Sequence, residues 1–330
     1  MTIEYRRSVA LTDVPVNGFY RFHDDFQILP AEEQAPKPPY MLCHHPFIIE
    51  YKVEVNDTPR FFPDGQEIPR FVMSNEDAGK KLNELILLFT TFSSHHVFLY
   101  QNSQSWFLPM DKIKEQQYKS VWGQQTYSYK DFISKIDALS NHDLSMVSTI
   151  NPNEYFNRYG RRIDQKFDLP ESIEVLFAKY YGLDEDAKKA FLSSASLLSQ
   201  GLKLWSEHPS LSFAAIVSSL ETLISFDYKD IPIEKCKECG QERYRVVKKF
   251  RDFFTAYGSP SPEFKKYALK IYAYRSKILH SGELFLGEIF PRKFGSFDGL
   301  EDDELRRSII RTCRICLVNW LMRHDQRTKS

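Results

Sequence analysis

From Phe47 to Val55 the side chains alternate, Ile49, Tyr51, Val53 and Val55 against Glu50, Lys52 and Glu54, the period of a strand with one face in water. Pro63-Asp64-Gly65 reads as a turn and Ile68 to Met73 as a returning strand. Ser74-Asn75-Glu76-Asp77 then resembles a helix N-terminus, a short polar cap followed by an acid at the third helical position. Leu82, Leu85, Ile86 and Phe89 recur at three- and four-residue steps, which predicts a helix that stops near Ser93-Ser94. Further strands are expected at His96 to Tyr100, Ser105 to Leu108 and Val121 to Tyr129, where aromatic and β-branched residues concentrate.

Between about Ser140 and Pro170 the period is lost. Asn141, Asn151-Pro152-Asn153 and Gly160 interrupt a polar stretch that reads as a linker. Beyond it the pattern turns helical. Pro170-Glu171-Ser172 is expected to open a short helix with proline in its first turn, and Asp184-Glu185-Asp186 sets three acids at the positive end of the next. Phe191, Ala195, Leu198, Leu202 and Trp205 form one stripe; after His208-Pro209, Phe213, Ile216, Val217, Leu220, Leu223 and Ile224 form another. Two more helices are predicted at Tyr244 to Tyr257 and Glu263 to His280. The last, about Glu301 to Arg323, carries Leu305, Ile309, Cys313, Cys316 and Trp320 on its apolar face. The chain is therefore expected to be α+β, a strand-rich domain over residues 1–150 followed by an all-α helical bundle over residues 170–330.

Length and composition suit two separate cores, with 330 residues of which 42% are hydrophobic and 27% charged. Forty-four basic side chains balance 44 acidic ones, so no global field draws the chain to nucleic acid or membrane, and any such binding must be local. No run approaches a membrane span and Met1 to Arg7 lacks an apolar signal core, so the expected compartment is the cytoplasm, with no membrane partner. Four of the five cysteines form two C-x-x-C pairs, Cys236-Lys237-Glu238-Cys239-Gly240 and Cys313-Arg314-Ile315-Cys316. Four thiolates make a tetrahedral structural zinc site with no open position; alternatively, the second pair is core, since a free cysteine on an apolar stripe serves as a small hydrophobe. Cys43-His44-His45 and His95-His96 are weaker candidates for metal, because adjacent strand side chains point to opposite faces.

The best clue to chemistry is Tyr274-Arg275-Ser276-Lys277-Ile278-Leu279-His280-Ser281-Gly282, which sets an arginine and a histidine five residues apart near a helix end. An imidazole moves protons near neutral pH and a guanidinium holds a phosphate through two parallel hydrogen bonds, so the pair suits phosphodiester cleavage. On a straight α-helix the two lie about 140° apart, so a shared cleft needs a wrapped arginine, an unwound last turn, or partners across a dimer axis. Small Ala273 and Ser276 beside His280 favour the close approach of a second helix. The competing assignment pairs Arg275 with Glu221 inside the bundle and leaves His280 to cap the helix. An open cleft shared in a dimer would favour an enzyme; Arg275 held by Glu221, with His280 in bulk water, would favour a binding module. Lys248, Lys249, Arg251, Lys265, Lys266, Lys270 and Lys277 form either an RNA track or the solvated faces of helices.

A helical bundle whose early antiparallel pair contains Leu220-Glu221-Thr222-Leu223, and whose later helix ends in the Arg275–His280 motif, resembles a HEPN domain of the Apea-like branch found in prokaryotic antiviral proteins. The resemblance spans roughly residues 185–325. It implies a metal-independent endoribonuclease, active as a homodimer through this domain, that cuts RNA, often tRNA, to leave a cyclic phosphate and a 5′-hydroxyl. Arg275 and His280 would be catalytic, Ser276, Lys277 and Tyr274 substrate contacts, and no cofactor would be needed for catalysis. Relatives carry an N-terminal sensing domain, which implies that residues 1–150 would receive a phage-derived trigger. The family often has Asn, Asp or His directly after the arginine, where this chain has Ser276. The alternative is a non-catalytic HEPN module that binds RNA, a nucleotide or a partner protein.

Overall fold

The computed structural model describes residues 1–33, 35, 44–100, 129, 132–157, 166–232, 234–235, 242–243, 245–289 and 299–327. The chain divides into two compact units, Met1–Asn151 with Tyr159–Glu171, and Pro152–Arg158 with Ser172–Ser330. The first is built on strands and the second on helices, so the fold is α+β.

In the first unit the strands are β1 (Thr2–Thr12), β2 (Tyr20–Phe22), β3 (Phe26–Pro30), β4 (His45–Val55), β5 (Val97–Phe98) and β6 (Lys135–Ile136). Their sheet runs β2-β3-β4-β1-β5, with β6 also on β1. β1 and β4 pair antiparallel along their whole length, from Thr2 opposite Val55 to Thr12 opposite His45. β4 departs from the predicted wet face at Glu50, which is buried. Its carboxylate accepts from Gln27 Nε2 at 2.7 Å and from Ser140 N and Oγ, each at 2.8 Å. Arg7 Nε adds an ion pair at 3.2 Å. Partners from other segments thus satisfy a charge that strand alternation alone would put in water.

Helix α1 (Arg70–Phe92) packs on β4 with Leu82, Leu85, Ile86 and Phe89 buried. It starts earlier than the pattern predicts, so the strand expected at Ile68 to Met73 and the cap expected at Ser74 are both displaced. Pro69 precedes the first turn with φ −56°, where its missing N–H costs nothing. Ser74 faces inward and donates to Glu4 at 2.7 Å. The turn at Pro63-Asp64-Gly65 does form, with Gly65 at φ 86° and its N–H on Phe62 O. The strand expected at Ser105 to Leu108, and all of Val121 to Tyr129 except Tyr129, lie outside the described residues.

The segment read as a linker carries β7 (Ser148–Ile150), helix α2 (Pro152–Asn157) and β8 (Asp168–Pro170), with β7 and β8 paired in parallel. Pro170 ends β8 and does not open a helix; α3 (Ile173–Tyr181) begins three residues later.

The helical unit continues with α4 (Glu185–Lys203), α5 (Pro209–Asp227), a short hairpin of β9 (Glu234–Lys235) and β10 (Glu242–Arg243), α6 (Val246–Tyr257), α7 (Pro262–Ser276) and α8 (Leu300–Arg327). Asp184 caps α4 by accepting from Ala187 N at 2.8 Å. α4 and α5 lie antiparallel, joined by Ser194 Oγ to Ser219 O and Ser212 Oγ to Gly201 O, both at 2.7 Å. Gly201 permits this approach, because a Cβ there would sit 2.5 Å from Ile216 Cγ1. Asp227 joins three helices, accepting from Trp320 Nε1 at 2.8 Å and Tyr257 Oη at 3.1 Å. By length and composition α5 is apolar enough to cross a membrane, yet Phe213, Ile216, Val217, Leu220 and Leu223 are buried inside the unit.

Candidate functional site

The Arg275–His280 motif stands where α7 ends. Ser261 starts that helix by accepting from Phe264 N at 3.1 Å, Pro262 fills the first helical position, and Ala268 and Ile271 are buried. The α-helix stops at Ser276. A π-helical turn, Lys277–Ser281, follows, and Gly282 closes it in the left-handed region with its N–H on Lys277 O. Hydrogen bonds from i to i+5 widen the turn, so each residue advances by less than the roughly 100° of an α-helix. The π-turn therefore narrows the angle that a straight helix would put between Arg275 and His280.

Arg275 Nη2 donates to Glu221 Oε2 on α5 at 2.7 Å, with the two side chains 18% and 21% exposed. Arg275 Nε is buried without a hydrogen-bond partner. His280 and Lys277 are exposed on the π-turn and Ala273 is exposed on α7, while Ser276 is half-buried. Arg275 held by Glu221, with His280 open to solvent, is in this single chain the arrangement expected of a binding module.

Tyr274 packs its ring against Phe285 at 5.9 Å and Phe213 at 6.5 Å, with Lys270 Nζ 5.9 Å from its centre. Lys277 pairs with Glu283 at 3.0 Å, and the hydrogen bond and charge of that carboxylate raise the lysine's pKa. Of the other basic residues, Arg251 pairs with Asp252 at 3.3 Å and Lys270 with Glu301 at 3.7 Å, while Lys249 lies 5.1 Å from the centre of the Tyr228 ring. Glu283, Phe285 and Glu288 were not singled out from sequence. They fall in an aperiodic stretch, where the short apolar run Leu284-Phe285-Leu286 is the one local signal.

Of the cysteine pairs, Cys236 and Cys239 lie outside the described residues. Cys313 and Cys316 are fully buried on α8. Cys313 Sγ lies 3.5 Å from Ser219 Oγ, and burial pushes its pKa up to about 12; burial raises Cys316 as well. Among the described residues no group of three or more His, Cys, Asp or Glu side chains is placed to hold a metal. Cys43 also lies outside the described residues. His44 and His96 each pack on Phe98, at 4.6 and 4.8 Å. His95 is buried between two carboxylates, with Nδ1 3.0 Å from Asp13 Oδ1 and Nε2 3.6 Å from Asp168 Oδ1. No family model, no curated protein and no solved structure matches this chain.

Proposed function

We propose that the chain is a metal-independent endoribonuclease of antiviral or toxin type, with Arg275 and His280 as its catalytic pair. The observation that carries this reading is the π-turn that bears His280 just after an arginine fixed by Glu221, since single π-turns recur at functional sites. The HEPN resemblance supplies the reaction class, and the reading rests on both together.

In this mechanism the ribose 2′-oxygen attacks the adjacent phosphorus as it loses its proton. The new O2′–P bond forms, the P–O5′ bond breaks, and the 5′-oxygen leaves as a hydroxyl, so the products are a cyclic phosphate and a 5′-hydroxyl end. His280 moves a proton at the attacking or the leaving oxygen, and Arg275 stabilises charge on the phosphoryl oxygens. Glu221 holds one edge of the guanidinium and so fixes the direction of its remaining donors. Lys277, Tyr274 and Ser276 would contact flanking phosphates or bases, Lys277 after exchanging Glu283 for a phosphate. A homodimer that places two such motifs in one cleft would complete the site, and the strand-rich unit would receive the trigger.

A second reading, a non-catalytic module that binds RNA, a nucleotide or a partner protein, is favoured by the Arg275–Glu221 ion pair, which gives the arginine a structural task, and by the exposure of His280 to solvent. Incubation with RNA in the presence of EDTA separates the two. Cyclic-phosphate ends from the wild type, absent with His280→Ala, support the enzyme; binding of RNA without cleavage supports the module.

A further inference from the structure

The stretch after the motif is fastened back onto α5. Phe285 is buried, its N–H donates to Ser210 Oγ at 2.8 Å, and its ring stands edge-on to Phe213 at 5.3 Å while stacking on Tyr274. Three residues on, the Glu288 carboxylate accepts from Ser210 N at 3.1 Å and from Ser210 Oγ. α5 needs this group. His208 provides no side-chain cap and Pro209 has no N–H, so the amide of Ser210 is an orphan donor at the positive end of a helix dipole. Glu288 is thus a cap supplied from 78 residues away.

The contacts form three rungs between α5 and the motif segment: Glu221 to Arg275, Phe213 to Tyr274 and Phe285, and Ser210 to Phe285 and Glu288. Tyr274 immediately precedes Arg275, and Phe285 lies five residues beyond His280. Both flanks of the motif are therefore pinned to one helix. The π-turn between them bears exposed Leu279 and His280, with little of its own packing beyond buried Ile278. The second pin holds the chain beyond Gly282 against α5.

We propose that Glu288, through Ser210 and Phe285, is a latch that fixes the π-turn, and hence a positioning residue for His280. The kinetic consequence rests on the ribonuclease reading; the structural consequence does not. The full-length chain would be compared with Glu288→Ala and Glu288→Gln by hydrogen exchange and by the Hε1 resonance of His280 in histidine-labelled protein. Turnover of an RNA substrate would be followed alongside. Glu288→Ala is expected to speed exchange at the Phe285 and Gly282 amides by about tenfold or more, the effect of losing charge-assisted hydrogen bonds. It should also shift or broaden the His280 resonance and lower kcat with KM little changed, while exchange in α4 stays as in the wild type. Glu288→Gln, which keeps an acceptor oxygen for Ser210, should restore most of each. Unchanged exchange and an unchanged His280 resonance in Glu288→Ala overturn the latch. Faster exchange with unaltered kcat overturns the positioning role. If the wild type cuts no RNA, the ribonuclease reading fails, and the exchange and resonance results still decide the latch.

Discussion

Arg275 Nη2 donates to Glu221 Oε2 across 2.7 Å, joining α7 to α5 where each side chain is about four-fifths buried. Neither group is expected to tolerate loss of the other, because the survivor would remain desolvated and unpaired. Glu221→Ala should lower the unfolding free energy of the helical unit by about 1–3 kcal/mol. Replacing both residues, as in Glu221→Leu with Arg275→Met, should cost less than the sum of the single losses. Chemical denaturation of the wild type, Glu221→Leu, Arg275→Met and their double variant measures the coupling, and strictly additive losses would show that the pair contributes none.

His95 predicts a pH dependence in the strand-rich unit. Burial disfavours its imidazolium, but the hydrogen bonds and charges of Asp13 and Asp168 outweigh this and raise the pKa above its ordinary value of 6.5. A raised folded-state pKa means that the stabilisation is fully present below pH 6.5 and fades as the pH climbs through the folded value. His95→Gln should flatten that part of the stability profile. Denaturation midpoints of the two proteins measured from acid to mildly alkaline pH provide the check, and parallel profiles would remove His95 as the cause.

Cys313 and Cys316 should resist alkylation in the folded chain at pH 8, since burial keeps both thiols protonated. Peptide mapping after iodoacetamide should find them labelled only once the chain is unfolded. A structural zinc shared with Cys236 and Cys239 would need them as thiolates, so a stoichiometric metal content, lost together with helical stability on chelation, would contradict core thiols.

The seam between α4 and α5 should be intolerant of added volume at Gly201. An alanine Cβ would sit 2.5 Å from Ile216 Cγ1 and 3.0 Å from Ser212 O, and the backbone oxygen cannot simply rotate aside. Gly201→Ala should destabilise the helical unit by about 1–3 kcal/mol, despite the better helix propensity of alanine. A melting temperature equal to or above the wild type would mean that the helices separate at little cost.

The helices were legible where burial leaves a 3.6-residue period, as in the α5 stripe from Phe213 to Ile224, all buried as expected. The start of α1 was misread because the polar run from Ser74 imitates a cap, whereas Pro69 sets the boundary and Ser74 answers Glu4. Glu50 was placed in water because its partners, Gln27, Ser140 and Arg7, come from segments that local alternation does not report. At the candidate site the residues of the motif and the Glu221 partner could be named from sequence. The π-turn could not, since a shift from i+4 to i+5 bonding leaves no mark on the hydrophobic pattern. Nor could the Ser210–Glu288 contact, which joins positions 78 apart.

The most direct test of the central claim is to incubate purified protein with mixed tRNA and mRNA in EDTA beside Arg275→Ala, His280→Ala and the double variant, and then to identify the fragment ends. The account predicts fragments ending in cyclic phosphate from the wild type, at least about a hundredfold fewer from either single variant, and none from DNA. Intact RNA at high protein concentration, or equal cleavage by wild type and double variant, would contradict it.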